Sequence, residues 1–169
     1  LAAVGEQSAE AASESLWEAL RTGLLLPSGS TFRFLHDRVQ QAAYSLIPQP
    51  ELAPLHLRIG RLLLRHAGQT QLDEAIFDIA SHLNAAMHLI TEPDERLALY
   101  HLNMRAGRKA KASTAYEPAL RHFDIAASLL PEDAWTTQPD LMLDVAREKA
   151  DVAYLLGDFA QAESLLDEA

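Results

Sequence analysis

The stretch from Leu72 to Ile90 restricts the fold more than any other. Leu72, Ala75, Ile76, Ile79, Ala80, Leu83, Ala86, Met87 and Ile90 recur at steps of three and four. That spacing lines one face of an α-helix with apolar groups. A helix striped this way gains most of its stability from packing, so it requires helical neighbours. The flanking segments supply them. Glu6 to Arg21 places Ala9, Ala12, Leu16, Ala19 and Leu20 on one face and ends near Gly23, a residue suited to a left-handed cap. Glu51 to His66 places Leu52, Leu55, Ile59, Leu62 and Leu63 inward, and Gly68 breaks it. Thr91 and Pro93 mark the start of the next helix, as N-cap and first-turn residue.

One segment departs from this period. Leu24-Leu25-Leu26 reads as a short buried run, Pro27 to Ser30 as a turn, and Phe32 and Phe34 alternate with Arg33 as in a strand. From Asp37 the helical spacing resumes at Val39, Ala42, Ala43, Leu46 and Ile47, until Pro48 terminates it. Helix, strand, turn, strand, helix is an order that resembles the tail of a winged helix, its hairpin being the wing. The expected fold is all-α with one small β-hairpin.

Beyond Pro93 the chain repeats itself. Ala106-Gly107-x2-Ala110, Tyr116, Ala119-x3-Phe123, Ala126 and Pro131 are similar to the small-and-large pattern of a tetratricopeptide hairpin. Forty-three residues later the pattern returns as Ala150, Ala153, Gly157, Phe159, Ala162, Leu166 and Ala169. A longer connection, Glu132 to Pro139, accounts for the extra spacing. Both first helices lack the large aromatic of the consensus, so the two units are divergent. Small residues at these positions allow close backbone approach, and Thr114 falls at the turn of the first unit.

Charge and chemistry narrow the function. Fourteen Lys and Arg against twenty-four Asp and Glu give a net charge of -10, which disfavours nucleic acid and anionic membrane as main partners. With no cysteine there is no disulfide, thiol nucleophile or Cys-ligated zinc. No apolar run approaches the roughly 20 residues that span a bilayer, and no basic stretch precedes the first apolar residues as in a signal peptide. A cytoplasmic location is expected. Starting at Leu1 and ending inside a helical pattern, the chain reads as an excised segment. Its seven histidines offer no His-x3-His and no Glu-x2-His spacing, so a metal site is not expected. No phosphate loop, Gly-x-Ser-x-Gly or His-Glu-x2-His occurs, and no catalytic residue is assigned. The dense basic cluster is Arg105, Arg108, Lys109 and Lys111, read as a solvated or intramolecular face that could also dock an acidic neighbouring domain.

Three stretches carry a resemblance. His36 to Tyr44, Ala106 to Leu120 and Gly157 to Glu163 resemble parts of large bacterial signalling proteins. In these a Ser/Thr-kinase-like domain and a STAND-class ATPase precede a helical-repeat region, a GAF domain and a histidine kinase. The resemblance implies that residues 1–48 are the winged-helix end of the ATPase module and 49–92 a connecting helical hairpin. It further implies that 93–131 and 132–169 are tetratricopeptide-like repeats of an α-α superhelix. It also implies a role for His36, since in related STAND ATPases a winged-helix histidine approaches the phosphates of bound ADP. The phosphate loop of such an ATPase would lie upstream, so the segment itself is expected to hold no cofactor, ATP and ADP belonging to the parent protein. Its partners would be a protein or small-molecule inducer on the concave face of the repeats and neighbouring domains of the same chain. Two other functions stay open: the arm of an ATP-dependent transcriptional activator, and a free-standing helical enzyme or metal-binding bundle.

Overall fold

The computed structural model describes residues 9–28 and 31–167. Among them the chain is all-α, nine helices and a two-stranded antiparallel hairpin. Helix α1 (Ala9–Arg21) turns at Gly23, whose φ is 72°, into β1 (Leu25–Ser28) and β2 (Thr31–Phe34). Leu25 lies opposite Phe34 and Pro27 opposite Phe32. Pro27 and Ser28 thus belong to the strand rather than to the turn expected there, and residues 29–30 lie outside the described residues. Proline is tolerated because each strand of a two-stranded hairpin is an edge. Of the expected buried run, Leu25 alone is buried; Leu24 is exposed and Leu26 intermediate, since alternate strand residues face opposite sides.

Helix α2 (Asp37–Ser45) starts with Asp37 in its first turn but buries no residue. The face expected from Val39 to Ile47 is therefore not a core face here: Val39 and Ile47 are half-buried and Leu46 is 83% exposed. Helical period alone did not secure burial here.

The core lies in the helices beyond α2. Helices α3 (Gln49–His66) and α4 (Gln69–Ala85) pair, as do α5 (Pro93–Ala112) with α6 (Tyr116–Leu129) and α8 (Pro139–Leu155) with α9 (Phe159–Asp167). Contacts of α4 with α5 and of α6 with α8 join the pairs into one stack. The short α7 (Ala134–Thr137) fills the longer connection and buries Ala134.

On α3 the buried residues are Leu57 and Gly60, not the expected Leu52, Leu55, Ile59, Leu62 and Leu63, which are half-buried or exposed. Glycine decides the contact face. A Cβ on Gly60 would stand 2.6 Å from Leu83 Cδ2, so α3 approaches α4 along its smallest residue. The α4 stripe is buried from Ile76 through Leu83, but the helix stops at Ala85 and a 3-10 turn (Met87–Leu89) delivers Ile90 to the core. The cap of α5 is Glu92 rather than Thr91, with Pro93 at the first helical position.

In the α5–α6 pair the small residues work as expected. Ala106, Gly107, Ala110, Ala119 and Ala126 are buried, and a Cβ on Gly107 would lie 2.7 Å from Phe123 Cζ. The aromatic ring occupies the notch the missing side chain leaves. Thr114 turns the chain between the two helices at φ 60°, and Gly157 does so between α8 and α9 at φ 83°.

Candidate functional site

His36 sits where β2 runs into α2, at the N-cap with extended backbone (φ -141°, ψ 148°). Its carbonyl accepts from the N–H of Val39 at 2.9 Å, while its side chain makes no cap hydrogen bond. The residue is exposed. The strand-to-helix joint therefore holds the imidazole at the surface, where a group from outside the described residues can reach it.

The basic cluster divides between two sides of α5. Arg105 and Lys109 face α4: Arg105 pairs with Asp73 at 2.6 Å, and Lys109 bonds the Asp73 carbonyl with its ammonium 5.2 Å from the centre of the Phe77 ring. Arg108 and Lys111 face α8. Arg108 donates to Asp144 and Glu148 at 2.6 Å each, and Lys111 binds Glu148 and, at 3.3 Å, Asp151. Burial alone would raise the Glu148 carboxyl, but the hydrogen bonds from Arg108 and Lys111 outweigh it and hold the group below its ordinary value. For Lys111, too, burial pulls downward, and the Glu148 and Asp151 bonds overcome it. One helix thus ties both neighbours. A second inter-pair tie joins Arg61 of α3 to Glu95 of α5 through two bonds of 2.7 and 2.6 Å. The exposed pairs, Arg61–Glu95, Arg105–Asp73 and Arg108–Asp144, contribute about 0.2–1 kcal/mol apiece.

Two polar clusters have no signal in the sequence spacing, because each joins residues far apart along the chain. In the first, Asn103 is fully buried on α5. It exchanges amide bonds with Asn84 of α4 at 2.8 and 2.9 Å and lies 3.0 Å from Nδ1 of His122 on α6. Burial, then the nearby Arg121 charge, lowers the His122 pKa, so the neutral ring is favoured. Beside it an open groove is lined by Phe77, Ser81, Arg121 and Ile125. In the second, Tyr44 Oη lies 3.0 Å from His56 Nε2, and His56 Nδ1 lies 2.8 Å from His82 Nδ1. Among the described residues, no group of three or more His, Cys, Asp or Glu has the arrangement of a metal site. No helix among them is long and apolar enough to cross a membrane.

Comparison with known proteins gives one informative match. The chain is 31% identical, over 162 residues and 82% of its length, to a hybrid signal transduction histidine kinase G from Dictyostelium discoideum. It spans 5% of the length of that relative. No protein-family profile matches the chain, and no solved structure matches it.

Proposed function

We propose that this chain is a non-catalytic helical-repeat segment of a large ATP-dependent signal-transduction protein, coupling the binding of a partner or inducer to nucleotide state and kinase output. The observation that carries the reading is the similarity to a signal transduction histidine kinase along 82% of the chain. The architecture agrees with it. Stacked hairpins present extended surface and are joined by polar contacts such as those of Asn103 with Asn84 and His122.

In this reading residues 1–48 close a STAND-class ATPase module as its winged helix, 49–92 connect it, and 93–131 and 132–169 are tetratricopeptide-like repeats. The partner binds the repeats; neighbouring domains of the same chain receive the effect. His36, exposed at the strand-to-helix joint, senses the phosphates of ADP held by the upstream module. The relay requires two states of different partner affinity, because only a differential interaction shifts an equilibrium.

The test uses the full-length protein. His36→Ala is expected to weaken ADP retention about tenfold, the equivalent of about 1.4 kcal/mol, with the helical content of the protein unchanged. Unaltered ADP affinity in a folded variant would contradict the sensor role. Removal of residues 93–167 is expected to uncouple kinase output from the inducer; coupling that survives the deletion would contradict the relay.

A further inference from the structure

We propose that Tyr44, His56 and His82 form a proton-sensitive latch that fastens the hairpin-bearing unit to the helical stack, closed near neutral pH and opened by acid. The three side chains come from α2, α3 and α4 in turn, and the bonds run Tyr44 Oη to His56 Nε2 at 3.0 Å and His56 Nδ1 to His82 Nδ1 at 2.8 Å. Their rings also touch, with centroids 6.2 and 4.9 Å apart.

The Nδ1-to-Nδ1 bond restricts the protonation states. One Nδ1 must carry hydrogen and the other must offer its lone pair. A neutral pair meets this requirement, and so does a pair holding one extra proton. Tyr44 follows either state, its hydroxyl donating to His56 Nε2 or accepting from it. A second proton puts hydrogen on both facing nitrogens. No acceptor remains, and two like charges stand at contact distance. The closed latch therefore excludes the doubly charged pair.

The surroundings act in the same direction. Burial lowers the His82 pKa first, the His56 charge lowers it further, and Asp78 of α4 offsets part of the effect. On α2 the titratable group facing the pair is Tyr44. A folded-state pKa below the ordinary 6.5 means that acid favours the open form: the contribution is complete above about 6.5 and is lost as pH falls toward the folded value. Because α2 buries no residue, losing this link frees it locally while α5 and α6 stay packed. The latch deepens the proposed relay by giving it a hinge. It is nonetheless a property of the chain alone, so its test needs neither nucleotide nor kinase.

Amide exchange of residues 37–45, corrected for intrinsic rates and referred to residues 139–155, reads the latch directly. Between about pH 7.5 and pH 5 the relative protection of 37–45 is expected to fall about tenfold. His82→Gln, whose amide still accepts from a charged His56, is expected to stay protected at both values. Tyr44→Phe is expected to be weakly protected at both. Protection independent of pH in the unaltered chain, or an undiminished fall in His82→Gln, would overturn the proposal. Should His82→Gln fail to fold, the ring-proton titrations of the unaltered chain decide. Two steps separated by more than about one unit support the latch, and two independent steps near 6.5 overturn it.

Discussion

The α5–α6 and α8–α9 hairpins carry the same pattern 43 residues apart and end in different environments. At the small positions they agree: Ala110 and Ala153 are buried, and so are Ala119 and Ala162. At the large positions they diverge. Phe123 is 0% exposed and its counterpart Leu166 57%; Tyr116 is half-buried and Phe159 is 61% exposed. Phe159 instead meets the Tyr154 ring, 5.2 Å away at the surface. The difference separates two jobs. Small residues serve contacts within a hairpin, which any hairpin satisfies alone. Large residues need the next layer as well: Phe123 fills the Gly107 notch within its own hairpin, and α8 adds a layer to α5–α6 through Val145, Val152, the Tyr100 hydroxyl donating to the Leu141 carbonyl at 2.8 Å, and the Glu148 pairs. Burial pushes the Tyr100 phenol up to about 12, so it remains a donor throughout the useful pH range.

Substitution at equivalent positions can break this contrast. The largest difference is expected at the aromatic site. Phe123→Ala should cost about 3–5 kcal/mol, the usual penalty for emptying a buried aromatic position. Leu166→Ala should stay within about 0.5 kcal/mol, as exposed sites do; chemical denaturation of the two variants measures both. Similar losses would mean that α9 is covered as α6 is. Next comes the close approach. Gly107→Ala pushes a methyl group into the Phe123 ring and should lose about 1–3 kcal/mol from overpacking, despite the better helix propensity of alanine. Ala150→Gly should lose about 1–2 kcal/mol, from helix propensity and from the buried methyl group it removes.

The turns sharpen the comparison from the opposite side. Thr114 at φ 60° is a β-branched residue in the left-handed region, whereas Gly157 takes its φ of 83° freely. Thr114→Gly should therefore raise the melting temperature by about 2–4 °C and Gly157→Ala lower it by a like amount, each corresponding to about 1 kcal/mol. The smallest effect concerns pH. His122 belongs to α6, while α8 and α9 contain no histidine. Its folded pKa is lowered by burial and by Arg121, so below about 6.5 the unfolded chain binds the proton more readily and stability falls. The Glu148 contribution, with its folded pKa lowered, persists to lower pH and is lost only below the ordinary carboxylate range. Thermal melts of His122→Gln should make the decline between about pH 7 and 5 shallower, the His82 share remaining, and leave the one below about pH 4.5.

Particular residues explain how far the sequence could be read. Gly107, Thr114 and Gly157 were legible because their roles are local: a close crossing or a turn constrains the residue type at one position. Period two at Phe32 and Phe34 revealed the hairpin for the same reason. The inward face of α3 was not legible. Its sequence is apolar on several sides, and only Gly60 meeting Leu83 selects the Leu57 side. Phe159 and Leu166 were legible as pattern but not as burial, since burial depends on what lies above them. His56 with His82, and Asn103 with Asn84 and His122, lie 26 and 19 residues apart. No spacing rule connects residues that only helix pairing brings together.

Site-resolved amide exchange along the unaltered chain tests most directly the claim that each hairpin is sealed by the next. Within these two hairpins protection is expected to be highest in α5 and α6, lower in α8, and lowest in α9, with about 2 kcal/mol or more between the first pair and the last helix. Equal protection of α6 and α9, exchanging together as one cooperative unit, would contradict it.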